Sequence, residues 1–353
     1  MDINEIAALS GMVHMRDAYG FTDEWQVYES QRDARVALDA VTNDSQPTAI
    51  TTANTGIPTF LTTYLDPTII RVLLQPRKAT VFAGGEVKKG DWTSTSAVFK
   101  LVDQTGSISA YGDHSESGEA NININWPNRQ PFHFQTIIQY GEKELANASA
   151  GGVSLASEKQ LASVTIMNKF MNASYLFGVA NLKNYGITND PNLSSALSPT
   201  TKTGGGTVWS GTQVTPVDIL NDFQALYAQL QLQVNGIVDR QMEIVVAMAP
   251  VSEQYLTKTS IYNENVYDLL KKTFPNLTIV TIPEFVTGSG NLVQMMVRRS
   301  PEDGLPTLET AFTEKLRAHP MIVQLSSFKQ KRSAGTWGSI FYRPLFVAQM
   351  LGV

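Results

Sequence analysis

The sequence predicts an α+β fold laid out in consecutive parts. Three observations carry that prediction: a polar, turn-punctuated, strand-rich stretch from Val81 to Tyr140, one long helix from Ser154 to about Asn184, and alternating helix and strand patterns from Thr215 onward. At 353 residues and 42% hydrophobic, the chain is long enough to bury a substantial core and to hold two or three subdomains.

The first 65 residues lack a convincing core pattern, although Asp23 to Val41 reads as a short amphipathic helix carrying Trp25, Tyr28, Val36 and Leu38. Thr42 to Thr63 is rich in Thr, Asn, Ser and Pro, which fits an extended arm that needs a partner to lie on. Asp66-Pro67 supplies an N-cap and a first-turn proline for a short helix through Leu74, which Pro76 ends.

From Val81 to Tyr140 the reading is β, with turn signals at Gly84-Gly85, Gly90-Asp91, Gly106, Gly112-Asp113 and Gly118. Val98 to Val102 reads as one strand and Asn121 to Trp126 alternates strictly, while Phe132, Phe134, Ile138 and Tyr140 share one face of a further strand. Ser107 to Glu119, polar and Gly-rich, suits the tip of a projecting hairpin. A two-stranded ribbon is marginal alone, so it needs a surface to pack on, and a neighbouring subunit is the obvious one.

The long helix places Ile166, Phe170 and Phe177 beside Val164, Met167, Met171 and Leu182 on an apolar arc, with Thr165, Asn168, Lys169, Asn172 and Lys183 opposite. The polar stripe is expected to face solvent or a neighbouring subunit. Gly186 suits a left-handed C-terminal position and Pro191 cannot continue a helix. After a loop through Gly204-Gly205-Gly206, Thr215-Pro216 starts a helix with Ile219, Leu220, Phe223, Leu226, Tyr227 and Leu230 on one face, ended by Asn235-Gly236. Glu243 to Ala249 is a buried-type strand, Ser252 opens a short helix, and Asn263 caps another through Phe274. Leu277 to Ile282 and Leu292 to Val297 are strands, and Met321 to Lys329 and Thr336 to Met350 return to β.

Composition narrows the function classes. With no cysteine there is no disulfide framework, thiolate metal site or cysteine nucleophile, and cytoplasmic folding is the default. No stretch reads as a transmembrane helix or signal peptide, so no membrane is expected. Net charge is −5, which gives no basic footprint for gripping phosphates. Residues 1–60 carry nine acids against Arg16, Arg32 and Arg35, whereas eight Lys or Arg face four acids from Asn291 onward. Such asymmetry reads as two solvated surfaces or as complementary patches between subunits.

No catalytic, cofactor-binding or metal residue is assigned. His14, His114, His133 and His319 are scattered without ligand spacing. Gly85 to Gly90 resembles the start of a phosphate loop, but Asp91-Trp92 stands where Lys-Ser/Thr would meet phosphate, and Gly204-Gly205-Gly206 has no following lysine. No Gly-x-Ser-x-Gly elbow occurs. Aromatic and basic residues mix in Phe328-Lys329-Gln330-Lys331-Arg332 and Tyr342-Arg343-Pro344; a surface cluster is the commoner reading than a nucleic-acid site.

The order of parts resembles the major capsid protein of tailed bacteriophages, the fold also used by encapsulin shells. The likeness spans nearly the whole chain. Asp66-Pro67-Thr68-Ile69-Ile70-Arg71-Val72-Leu73 and Pro76-Arg77-Lys78-Ala79 resemble the family's segment between N-terminal arm and extended loop. Tyr185-Gly186-Ile187-Thr188-Asn189-Asp190-Pro191 is similar to its Gly-Leu-x-Asn-x-Pro ending of the spine helix. Ala249 to Leu256, Phe274 to Leu277 leading to Pro283-Glu284, and Gly338 to Val347 look like the axial domain's strand-to-helix step, its next strand entry and the closing strand.

The resemblance implies an N-terminal arm (1–65), a linking helix (66–80), an extended β-hairpin loop (81–140), a peripheral domain (141–215) with spine helix 154–184, an axial domain (216–320) and closing strands (321–353). It implies a structural protein, not an enzyme, that assembles as hexamers and pentamers into an icosahedral shell around packaged double-stranded DNA, without cofactor or sequence-specific DNA contact. Folding and assembly in the host cytoplasm, a separate scaffolding protein, a portal and a decoration protein belong to the same expectation. Covalent ligation through Lys88, Lys89 or Lys100 is an option some relatives use, although solvated lysines are the simpler reading. The alternatives are an encapsulin-like shell around protein cargo, an α/β enzyme built on residues 216–300, and a tail or fibre component, for which repeats would be expected and none occurs.

Overall fold

A computed structural model describes residues 76–113, 116–260 and 264–353. The expected arm, the helix over Asp66–Leu74, His14, His114 and the Asn263 cap lie outside the described residues.

The first element among the described residues is a one-turn helix, α1 (Ala79–Ala83), where a strand was expected to start. Gly84, at φ 91, closes the turn, and Phe82 is fully buried, so burial of one turn overrides the β-type composition of Val81-Phe82. The strands β1 (Glu86–Lys88), β11 (Leu308–Val323), β12 (Ser327–Phe341) and β6 (Phe132–Gly141) form a four-stranded sheet in the order β1-β11-β12-β6. β1 runs parallel to β11, and the other pairs are antiparallel. The boundary expected at 320/321 falls inside β11.

Between β1 and β6 the chain makes two small antiparallel ladders: β2 (Ala97–Val98) with β5 (Asn128–Arg129), and β3 (Leu101–Gly106) with β4 (Ala120–Asn125). The single strand expected over Val98–Val102 is split, because the Phe99 N–H donates to Pro127 O at 2.9 Å and the Phe99 ring packs edge-on against Tyr342.

After α2 (Glu142–Ala150) comes the long helix α3 (Leu155–Phe177), about 35 Å long at 1.5 Å per residue. It stops seven residues before the expected end. Val179, Ala180 and Leu182 keep helical apolar spacing, but Gly178 adopts φ 63 and Asn181 φ 62, and a Cβ on Gly178 would lie 2.5 Å from Asn184 O. The buried face differs as well. Ser163, Met167, Met171, Ser174 and Tyr175 face inward, whereas Ile166 is exposed. Asn172, assigned to the polar stripe, is buried: its Oδ1 accepts from Ala79 N at 3.3 Å and its Nδ2 donates to Glu284 Oε1 at 3.0 Å. Of the rest of the stripe, Thr165, Asn168 and Lys169 are half-buried and Lys183 is exposed beyond the helix end, while the last two turns are enclosed nearly all round.

The second sheet has the order β13-β10-β7-β8, built from β7 (Ile244–Met248), β8 (Leu277–Thr281), β10 (Gly290–Val297) and β13 (Val347–Leu351), with β9 (Val286–Thr287) on β10. Every β7 residue is buried because both faces are covered. Ile244, Val246 and Met248 pack with Ile219, Phe223 and Leu230 of α4 (Pro216–Gln233) and with α6 (Val266–Thr273), while Val245 and Ala247 pack with Phe82 and the end of α3. The α4 start is as read: Thr215 Oγ1 accepts from Asp218 N, and Asp218 reaches back to Thr215 N. The short helix α5 (Pro250–Gln254) begins two residues before Ser252, with Pro250 in the first turn, and Asn265 caps α6 by accepting from Asp268 N at 2.7 Å.

Candidate assembly surface

The β3–β4 ladder is a ribbon that the described residues of its own subunit leave uncovered: all residues of both strands are exposed. Registry places Val102 opposite Ile124 and Gln104 opposite Ile122, so these share one face, while Asp103, Thr105, Asn121, Asn123 and Asn125 take the other. Val102, Ile122 and Ile124 are 45, 54 and 45% exposed. The alternation read in Asn121–Trp126 does form a strand, but its apolar face is not part of this subunit's core. At the tip, Ile108 and Tyr111 are almost fully exposed.

The foot of the ribbon, by contrast, is fastened at several points. Lys89 Nζ lies 2.9 Å from Glu309 Oε2, and the Tyr342 hydroxyl donates to the same oxygen at 3.0 Å. Burial works against the Lys89 ammonium, but hydrogen bonds to Tyr342 and Glu309 outweigh it and raise the Lys89 pKa. Of the three lysines considered for ligation, Lys89 is thus engaged within the subunit, Lys88 faces Asp91 at 3.5 Å, and Lys100 is exposed. On the other side of the foot, Trp92 meets His133 edge-on at 4.5 Å, and His133 Nε2 lies 3.3 Å from Thr313 Oγ1. Burial lowers the His133 pKa, opposed by the charge of Glu314.

A third fastening joins the ribbon to the Tyr185–Pro191 motif. The Arg129 guanidinium forms a buried ion pair with Asp190 and lies 4.5 Å above the Tyr185 ring. Lys183 Nζ donates to Asn128 Oδ1 at 2.9 Å, and Gln130 N to Lys183 O at 3.0 Å. The motif in turn caps α3. The last carbonyls of a helix lack intrahelical donors. Here Ile187 N donates to Tyr175 O, Thr188 N and Oγ1 to Leu176 O, and Asn189 Nδ2 to Phe177 O at 2.6 Å. Gly186 is therefore required for close approach and not for a left-handed turn: a Cβ there would lie 2.2 Å from Leu176 O.

The Gly-rich loop before α4 also has a buried anchor that sequence reading missed. Lys202 and Asp222 form an ion pair with both side chains fully buried. Asp222 also accepts from Trp209 Nε1 at 2.7 Å and from Thr200 N and Oγ1 at 3.1 and 2.7 Å. Nothing in the spacing Lys202 to Asp222 marks such a pair before the fold is known.

The two basic-aromatic clusters do not form one patch. Arg332 is buried and donates to Gln160 O at 3.1 Å and Ser163 Oγ at 2.9 Å, tying β12 to α3, and Arg343 pairs with Asp303 at 2.6 Å. His319 Nε2 lies 2.9 Å from Ser333 Oγ, two residues along β12 from Gly335, which pairs with His133. Among the described residues no group of three or more His, Cys, Asp or Glu is placed to hold a metal ion, and no helix is long and apolar enough to cross a membrane.

Comparison with known proteins agrees with this architecture. The chain is similar to the solved capsid of Myoviridae phage XM1, with a TM-score of 0.71, 13% identity, and coverage of 85% of this chain and 100% of that one. It is similar to the capsid of a native GTA particle (TM-score 0.55, 10% identity, 86% and 100% covered) and to Mycobacterium phage Ogopogo (TM-score 0.53, 11% identity, 85% and 100% covered). At these identities the likeness shows the α+β capsid fold. No curated protein matches the sequence significantly. The model of one family, described as Pa193 gp26 major capsid protein, matches residues 48–352, and the chain belongs to that family of shell-forming structural proteins of bacteriophages.

Proposed function

We propose that this capsid subunit assembles as hexamers and pentamers into an icosahedral shell around packaged double-stranded DNA, with each ribbon lying across a neighbouring copy. The observation that carries the reading is the ribbon itself. A two-stranded element with an apolar face open to water is marginal alone, yet its foot is held by a buried ion pair and two aromatic contacts. A rigid foot under an uncovered ladder fits an element completed by a partner. Many such contacts, each weak, sum to a stable shell while permitting correction during growth.

On this reading residues 141–215 and 216–320 act as peripheral and axial domains, 321–353 as closing strands, and 1–65 as an arm onto neighbours. No chemistry on a substrate is needed, and the acidic chain suits a container that must not grip its genome. A separate scaffolding protein, a portal and a decoration protein complete the particle, which forms in the host cytoplasm. Electron microscopy of the co-expressed protein tests the proposal. Closed shells with six- and five-fold units, lost when residues 101–125 are replaced by a short turn, are expected; a monodisperse monomer or dimer under every condition sinks it.

A further inference from the structure

We propose that the hollow between α1, β1 and α3 is a seat for a small carboxylate that carries a second oxygen acceptor, a binding site that does not depend on the shell reading. The hollow, of about 270 Å³, is lined by Arg77, Glu86, Asn168, Met171, Tyr175 and Lys315, so its walls come from the residues before α1, from β1, from α3 and from β11. Its rim is charged and its floor enclosed: Arg77 and Lys315 are exposed, whereas Met171 and Tyr175 are 4 and 1% exposed.

The floor holds an unanswered donor. The Tyr175 hydroxyl is buried without a hydrogen-bond partner, a destabilising arrangement that is uncommon in folded chains. The backbone beneath it is fixed, because Tyr175 O accepts from Ile187 N at 2.9 Å and from Ser339 Oγ at 2.7 Å. Neither polar neighbour supplies the missing acceptor. Asn172 is engaged with Ala79 and Glu284, and Glu86 is turned to Lys315. Burial, and after it the charge of Glu86, raises the Tyr175 pKa, so the group stays a neutral O–H donor.

The rim suits an anion. Glu86 is paired with Lys315, while Arg77 forms no ion pair among the described residues, so two cations face one carboxylate. A planar guanidinium matches a carboxylate with two parallel N–H bonds. One negative charge balances the rim, whereas a phosphate dianion would overcharge it beside Glu86. Between rim and floor, Met171 offers an apolar wall to a few carbons. The three features define the ligand class: a carboxylate for Arg77, a short stem along Met171, and an oxygen acceptor for the Tyr175 hydroxyl. The hollow is smaller than the ~300–1,000 Å³ of drug-sized pockets, as such a ligand requires. A short-chain keto acid free in solution has this chemistry, and so does an acidic side chain with its backbone carbonyl on another chain.

Isothermal titration of the full-length chain tests the seat with sodium levulinate, which has the keto oxygen, and sodium pentanoate, which lacks it, at matched ionic strength. Levulinate is expected to bind saturably and roughly tenfold more tightly than pentanoate. Arg77→Gln should weaken both acids. Tyr175→Phe, which removes only an unpartnered oxygen, should erase the preference between them. The inference is overturned by no saturable heat with levulinate, by equal affinities for the two acids in the wild type, by binding unchanged in Arg77→Gln, or by a preference that survives Tyr175→Phe. Each of these leaves the shell reading intact. The same titration on assembled particles separates the two sources. Binding kept in the particle assigns the seat to a free solute, and binding present in the subunit but lost on assembly assigns it to a neighbouring chain's acidic side chain.

Discussion

Arg129 and Asp190, 61 residues apart, form a buried ion pair that locks the foot of the ribbon to the segment capping the long helix. Asp190 also accepts from Asn192 N at 3.0 Å, and Arg129 is stacked on Tyr185, so the pair is supported on both sides. Breaking a buried pair strands the remaining charge, at a cost of about 3–5 kcal/mol. Arg129→Ala should therefore destabilise the unassembled chain by that amount in urea unfolding. A loss below about 1 kcal/mol, the scale of a solvated pair, would show that the pair is not buried in solution.

The same capping segment makes Gly186 intolerant of any side chain. Its φ is not left-handed, so the only penalty is space: a Cβ would lie 2.2 Å from Leu176 O and 2.4 Å from Phe177 N, both backbone atoms that are themselves hydrogen-bonded. Gly186→Ala should cost at least the ~1–3 kcal/mol of overpacking, because backbone yields less than a side chain. Gly206→Ala is the control. That position meets nothing within 4 Å and its φ is not positive, so stability should change little or rise slightly.

These two residues show where sequence reading stops. The capping box at Thr215 and Asp218 and the all-buried β7 were legible because their signals are local: an i,i+3 pair and an unbroken apolar run. The end of α3 was not, because it depends on Asn184 and Gly186 returning against Leu176 and Phe177, a tertiary contact that helical spacing through Leu182 conceals. The fold family was legible from the order of parts. The fastening of the ribbon was not, since Arg129–Asp190 and Lys89–Glu309 join residues far apart in the chain.

His133 should make the ribbon's foot acid-sensitive. Burial lowers its pKa in the folded chain from an ordinary value of 6.5, with Glu314 opposing. The unfolded chain then binds the proton more readily than the folded one, so the contribution of neutral His133 is fully present above pH 6.5 and is lost as pH falls below it. Melting temperature should drop between pH 7.5 and 5.5 more steeply in the wild type than in His133→Gln. Parallel curves for the two proteins would refute the assignment.

The Lys202–Asp222 anchor predicts non-additive energetics. Lys202→Met leaves a buried carboxylate that still receives the Trp209 and Thr200 donors, and Asp222→Leu leaves a buried ammonium and orphans those donors as well. Each single change should cost about 3–5 kcal/mol, with Asp222→Leu the worse. In the double variant no charge is buried, so the pair should be more stable than Asp222→Leu alone. It should still lie below the wild type, because Trp209 Nε1 and the Thr200 donors lose their acceptor. Urea unfolding of the four proteins gives the coupling energy directly, and strict additivity would show that the two side chains do not share one buried site.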